Sequence, residues 1–134
     1  MTENLLFAYG TLIKGLKNEM AEWLAGVTTE IGTGYFPGKL YMSKSGYPAA
    51  IYDSASPQKV FGKIIRLADP ITIWHRLDEY EGIGGCYPKP YEYRRVRAII
   101  TDLIDQQHHC NVYLYNYPVN GLKEIRSGKF STTL

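Results

Sequence analysis

Apolar and polar positions divide this chain into short blocks, and the blocks change period along its length. Residues 5–9, LLFAY, are continuously apolar, the pattern of a strand buried on both faces. In LKNEMAEWLAG the apolar positions Leu16, Met20, Trp23 and Leu24 recur at helical spacing, with Gly26 as terminator. From Val27 to Leu67 the pattern predicts short strands and turns. TGYFPGKLYMS carries a Pro-Gly turn signal, GYPAAIYD follows a Ser-Gly signal, and QKVFGKIIRL reads as a longer strand.

A second helix is expected in ADPITIWHRLDEYEG. Asp69 stands at the N-cap, Pro70 fits the first helical position, and Gly82 ends the segment. Ile73, Leu77 and Tyr80 share one face, with Trp74 beside them. After a Gly/Pro-rich loop, YEYRRVRAIITDL and HHCNVYLYNYP read as two strands joined by a polar turn around Asp105 to His108. The tail VNGLKEIRSGKF holds turn residues and is expected to add little core. Together these elements predict one α+β domain over residues 1–134, a small mixed sheet curling toward a barrel with two short helices.

Composition narrows the reading. A chain of 134 residues with 45% hydrophobic residues can bury an ordinary core, and 21% charge argues against disorder. Twelve tyrosines against four phenylalanines favour half-buried strands and polar pockets. The net charge of +2 carries no basic block; YRRVR at 93–97 reads as a charged strand face rather than a nucleic-acid footprint. No apolar run approaches the roughly 20 residues that span a bilayer, so no membrane partner is expected. Without an export signal, Cys86 and Cys110 are expected as reduced thiols of a cytoplasmic protein.

Four places carry candidate chemistry. The corner Tyr9-Gly10-Thr11-Leu12 leads from a strand through a turn toward a helix, which leaves backbone amides able to bind an anion; a plain turn is the alternative. Asp78, Glu79 and Glu81 cluster where a helix ends. There the macrodipole disfavours negative charge and raises a carboxyl pKa, as a general base near neutrality needs, unless all three simply face water. His108, His109, Cys110, Cys86 and His75 lack metal-ligand spacing, so no metal is expected. Tyr113, Tyr115 and Tyr117 recur at period two and line one strand face, as core or as the wall of a pocket.

FAYGTLIKG followed by LDEYEG resembles the gamma-glutamylcyclotransferase-like superfamily, which joins a Tyr-Gly-Ser/Thr-Leu loop to a Leu-Asp-x-x-Glu signature. YGTLIKGLKN is most similar to the gamma-glutamylamine cyclotransferase branch, and the ending of the chain to small bacterial members. The resemblance implies a small mixed β-barrel flanked by helices. It also implies a cofactor-free reaction on a small gamma-glutamyl compound, which loses an amine and closes to 5-oxoproline. By the same resemblance Glu81 is base and then acid, while the amides of Gly10, Thr11 and Leu12 hold a carboxylate or oxyanion. Tyr9 lines the cavity, Tyr93 and Arg95 match a Tyr-x-Arg after the glutamate loop, and Tyr115 matches a strand tyrosine near the pocket. Asp78 and Glu79 are left facing solvent. The segment from Gly82 to Glu92 is longer than in several relatives and bears on the substrate. A binding module with the same fold and no catalysis is the alternative.

Overall fold

The computed structural model describes residues 4–9, 19–44, 46–81, 83–84 and 89–130. In chain order the elements are β1 (Leu5–Ala8), α1 (Glu19–Gly26), β2 (Thr28–Met42), β3 (Pro48–Tyr52), β4 (Lys59–Leu67), α2 (Pro70–Tyr80), β5 (Tyr93–Asp102), β6 (Gln107–Tyr115) and β7 (Lys123–Glu124). Strands run β2-β4-β1-β6-β5, and β5 returns to β2 at Gly34↔Asp102 and Tyr35↔Thr101, closing a five-stranded barrel. The β1–β6 pair is parallel and the other pairings are antiparallel, so the barrel is mixed. β3 and β7 are additions, both paired with the second half of β2.

Two apolar clusters explain the continuous apolar runs. Phe7, Tyr9, Phe36, Val60, Ile64, Ile100, Cys110, Val112 and Leu114 fill the barrel. Their strand neighbours Leu6, Ala8, Ile65, Tyr113 and Tyr115 point the other way, under Ile73, Trp74 and Leu77 of α2 and Leu24 of α1. β1 and β6 are therefore covered on both faces, and their alternation of apolar with polar disappears.

Three sequence expectations change. Pro37-Gly38 makes no turn but lies inside β2, a single strand of 15 residues. The Gly38 amide donates to the Gln58 carbonyl, whereas the Pro37 carbonyl accepts from Asp53, so neighbouring residues serve opposite edges. Pro37 thus falls on the edge where β2 exchanges β5 for β3, a position where a missing N–H breaks no regular ladder. Gly38 is required by close approach, since a Cβ there would lie 2.0 Å from the Ile51 carbonyl oxygen. The tail also contributes core: Val119 and Leu122 pack on the outer cluster, Ile125 and Phe130 on the inner one. Its Gly128 carbonyl accepts the Phe61 amide, and Ile125 N–H donates to Leu40. These apolar residues reach the core singly, so they leave no periodic trace.

The third change is at α2. Asp69 has the extended backbone of an N-cap, but its side chain caps no amide and accepts the Thr72 hydroxyl instead. For α1, Leu24 is buried and Trp23 half-buried as expected; Leu16 lies outside the described residues.

Candidate active site

Glu81 is the C-cap of α2, with its amide bonded to the Leu77 carbonyl. The helix is held by its buried stripe Ile73, Trp74 and Leu77, which aims the last turn at the ends of β5 and β6. The residue keeps a little surface, yet its carboxyl is desolvated, and burial is the main reason its pKa rises to about 8. The negative charges of Glu92 and Asp78 push it further in the same direction. The sequence argument gives the right direction through the helix dipole; burial is the larger cause.

Tyr9, just after β1, Tyr93 on β5 and Tyr113 on β6 each feel the charge of this carboxyl. Tyr9, buried just after β1, donates its hydroxyl to the Tyr113 carbonyl. Burial raises its phenol pKa well above the usual range, with Tyr93 and Glu81 adding to the effect. Tyr93, the first residue of β5, donates to the Pro48 carbonyl at 2.7 Å and is hydrogen-bonded by Ser43. Its phenol is also pushed up, by burial first and then by Glu81 and Glu92. Tyr115 pairs with Tyr93 across β5–β6, and their rings meet edge to face at 5.5 Å. Burial and then Glu92 raise the Tyr115 phenol. These hydroxyls stay protonated at neutral pH and can only donate or accept hydrogen bonds. Glu81 is the group of this cluster whose proton moves near neutrality.

Of the site residues expected from the sequence, Tyr9, Glu81, Tyr93 and Tyr115 come together. Gly10, Thr11 and Leu12 lie outside the described residues, as does Gly82. Glu79 faces solvent as expected, but Asp78 does not. Arg95 grips it with two bonds, Nε to Oδ1 at 2.9 Å and Nη2 to Oδ2 at 3.1 Å. Tyr113 donates to the same Oδ1 at 2.6 Å. Asp78 is drawn inward because both partners stand opposite each other in the β5–β6 register, Arg95↔Tyr113. Ser43 and Glu92 are the neighbours that the sequence argument leaves out; it names Asp78 but leaves it facing solvent, and it reads Tyr113 with Tyr115 and Tyr117 as core or pocket wall. The signal for Asp78 was its place one helical turn before Glu81, on the same face.

The other candidate features fall elsewhere. His108 Nε2 lies 2.8 Å from Asp102 Oδ2, where it braces the β5–β6 turn. Asp102 also accepts the amides of Ile104 and Gln106. Cys110 is buried in the barrel, with its thiol pushed up to about 12 by desolvation; Cys86 lies outside the described residues. Among the described residues, no three His, Cys, Asp or Glu are grouped to hold a metal ion. No described helix is long and apolar enough to cross a membrane. A separate open groove of about 550 Å³ is lined by Arg94, Arg97, His109 and apolar residues of β5. No carboxylate is among its described lining residues.

The closed five-stranded mixed barrel with its extra strands and two short helices is the gamma-glutamylcyclotransferase-like fold. Residues 6–132 match the family model described as "Gamma-glutamyl cyclotransferase, AIG2-like", and the chain belongs to that family. Among solved structures, the solution structure of YtfP from Escherichia coli is similar at 26% identity and TM-score 0.63, covering 96% of each chain. An AIG2-like protein from Mus musculus matches at 20% identity and TM-score 0.64, covering 88% of this chain and 90% of its own. A gamma-glutamyl cyclotransferase matches at 16% identity and TM-score 0.66, over 90% of this chain and 69% of the other. A search of curated protein sequences finds no significant match.

Proposed function

We propose that the protein is a cyclotransferase-type lyase acting on a small gamma-glutamyl compound in the cytoplasm. Glu81 takes a proton from the substrate's α-ammonium, and the freed amine attacks the γ-carbonyl. A C–N bond forms to close the lactam and the C–N bond to the leaving amine breaks; the amine departs as an ammonium, with one proton from Glu81 and the second given up by the ring nitrogen. The products are 5-oxoproline and a free amine or amino acid, and the scheme calls for no cofactor or metal. As the family resemblance implies, Gly10, Thr11 and Leu12 supply amides to the substrate carboxylate or the developing oxyanion. Tyr9, Tyr93 and Tyr115 line the pocket as neutral hydroxyl and ring surfaces.

One observation carries this reading: a desolvated carboxyl, raised to about 8, is the group near the tyrosines that exchanges protons at neutrality. Family membership supports the reaction class. The test is 5-oxoproline release from a panel of gamma-glutamyl amino acids and gamma-glutamyl amines, with Glu81→Gln as comparison. General acid–base catalysis predicts a fall of about 10²–10⁴-fold in the variant. No release from any compound would favour the binding module, and ligand-induced thermal stabilisation would then be sought.

A further inference from the structure

The apolar stripe of α2 fixes how close the helix lies to the barrel, but hydrophobic contact is non-directional and leaves the last turn free to slide or roll. Directional contacts at that turn come from β5 and β6. Arg95 holds both oxygens of Asp78 and lays its guanidinium over the Trp74 ring at 4.5 Å. It therefore touches α2 at two positions one turn apart. Its Nη1 also lies 3.5 Å from Asn111 Oδ1 on β6. Tyr113 adds the third bond to Asp78, and its own carbonyl receives the Tyr9 hydroxyl. Beyond the helix, Ile83 N–H donates to the Asp78 carbonyl and fastens the chain that leaves Glu81.

From this geometry we infer that Asp78 and Arg95 are positioning residues, a two-pronged clamp that sets the place of the Glu81 carboxyl relative to the pocket tyrosines. The inference rests on the proposed role of Glu81 for its kinetic consequence only. Tyr113 is the joint, because one residue anchors Asp78 through its hydroxyl and Tyr9 through its carbonyl. Stability is not the clamp's main product: both charged side chains are partly exposed, at 31% for Arg95 and 23% for Asp78, and such pairs contribute modestly. Position matters more, since a misplacement of about 1 Å can cost on the order of 10²-fold in rate. Among the described residues, the charged and titratable groups that face Glu81 are Asp78 on its own helix, Glu92 before β5, Tyr93 on β5, Tyr113 on β6 and Tyr9 after β1.

The experiment compares Asp78→Asn and Arg95→Lys with the native protein by steady-state kinetics, thermal melting and carbon-13 NMR titration of the Glu81 carboxyl. Both variants are expected to lose kcat on the order of 10²-fold with little change in KM, while folding is kept. Lysine retains the charge but cannot grip two oxygens, so Arg95→Lys should not rescue. In Asp78→Asn the Glu81 titration should move to lower pH, because a neighbouring negative charge is gone. Variants that melt lower yet keep native kcat and the native Glu81 titration would overturn the inference. If the native protein releases no 5-oxoproline, the proposed reaction fails, and the NMR titration of Arg95→Lys, which keeps the charge but breaks the two-oxygen grip, decides the clamp: a shifted Glu81 supports it and an unshifted one overturns it.

Discussion

Arg95 on β5 holds Asp78 by both carboxylate oxygens, and Asp78 stands one helical turn before Glu81. The helix that carries the acid is thereby tied to the barrel wall that carries the tyrosines. No cation among the described residues is paired with the desolvated Glu81 carboxyl. Among the described residues, Arg95 spends its charge on Asp78, and Glu92 and Asp78 leave the Glu81 surroundings negative.

A raised carboxyl pKa makes the fold less stable as pH rises. The native protein holds the Glu81 proton up to about 8, whereas an unfolded carboxyl releases it near its ordinary value of 4.5. The unfolded state therefore binds fewer protons between those values, and stability falls across that window. The penalty is absent below the ordinary value and complete above pH 8; allowing for partial exposure, it is on the order of 3 kcal/mol. Glu81→Gln should flatten this part of the profile and melt above the native protein at pH 8.5. Melting curves from pH 5 to 8.5 check this before the raised tyrosines begin to titrate. A variant that melts lower at pH 8.5 would place a stabilising ion pair at Glu81.

Tyr93 couples the pocket to the β2–β3 hairpin through the Pro48 carbonyl and Ser43. Tyr93→Phe keeps the ring against Tyr115 but strands both partners. Loss of a buried hydrogen bond of this kind costs about 1–3 kcal/mol. Urea unfolding should show a lower midpoint with an unchanged slope. A midpoint equal to that of the native protein would mean that the Pro48 bond contributes nothing to stability.

The legible parts of this protein were those with local signals. Leu5 to Ala8 as a strand, Pro70 as a helix start and Glu81 at the helix end each follow from a few neighbouring residues. Asp78 was misplaced because its fate depends on Arg95 and Tyr113, whose pairing across β5–β6 is a matter of register. Pro37-Gly38 gives the same local signal for a turn as for a strand that changes partners. Phe130 reaches the barrel core from an aperiodic tail, and only the three-dimensional path of that tail reveals it.

Cys110 tests which side of β6 faces the barrel interior. It is fully buried beside Val112 and Ile100, and desolvation holds its thiol near 12. Alkylation needs the thiolate and access, and the native state denies both. Iodoacetamide at pH 8, followed by peptide mass spectrometry, should leave Cys110 unmodified in the native protein and modify it in urea. Rapid native labelling would show that β6 is turned the other way.

Gly38 and Gly32 lie on the same strand and differ in what surrounds them. A Cβ at Gly32 meets nothing within 4 Å, whereas at Gly38 it would sit 2.0 Å from the Ile51 carbonyl oxygen and 3.1 Å from the Ile51 carbonyl carbon. Those are backbone atoms of β3, which cannot rotate aside as a flexible side chain could. Gly38→Ala must therefore part β2 from β3, and β3 carries the Pro48 carbonyl that holds Tyr93. The expected cost is more than about 3 kcal/mol, among the large values for single substitutions, while Gly32→Ala should stay within about 0.5 kcal/mol of the native protein. Chemical denaturation of the two variants side by side measures the difference. Equal stability would mean that β3 does not lie against β2 at Gly38, and the placement of Tyr93 in the pocket would fall with it.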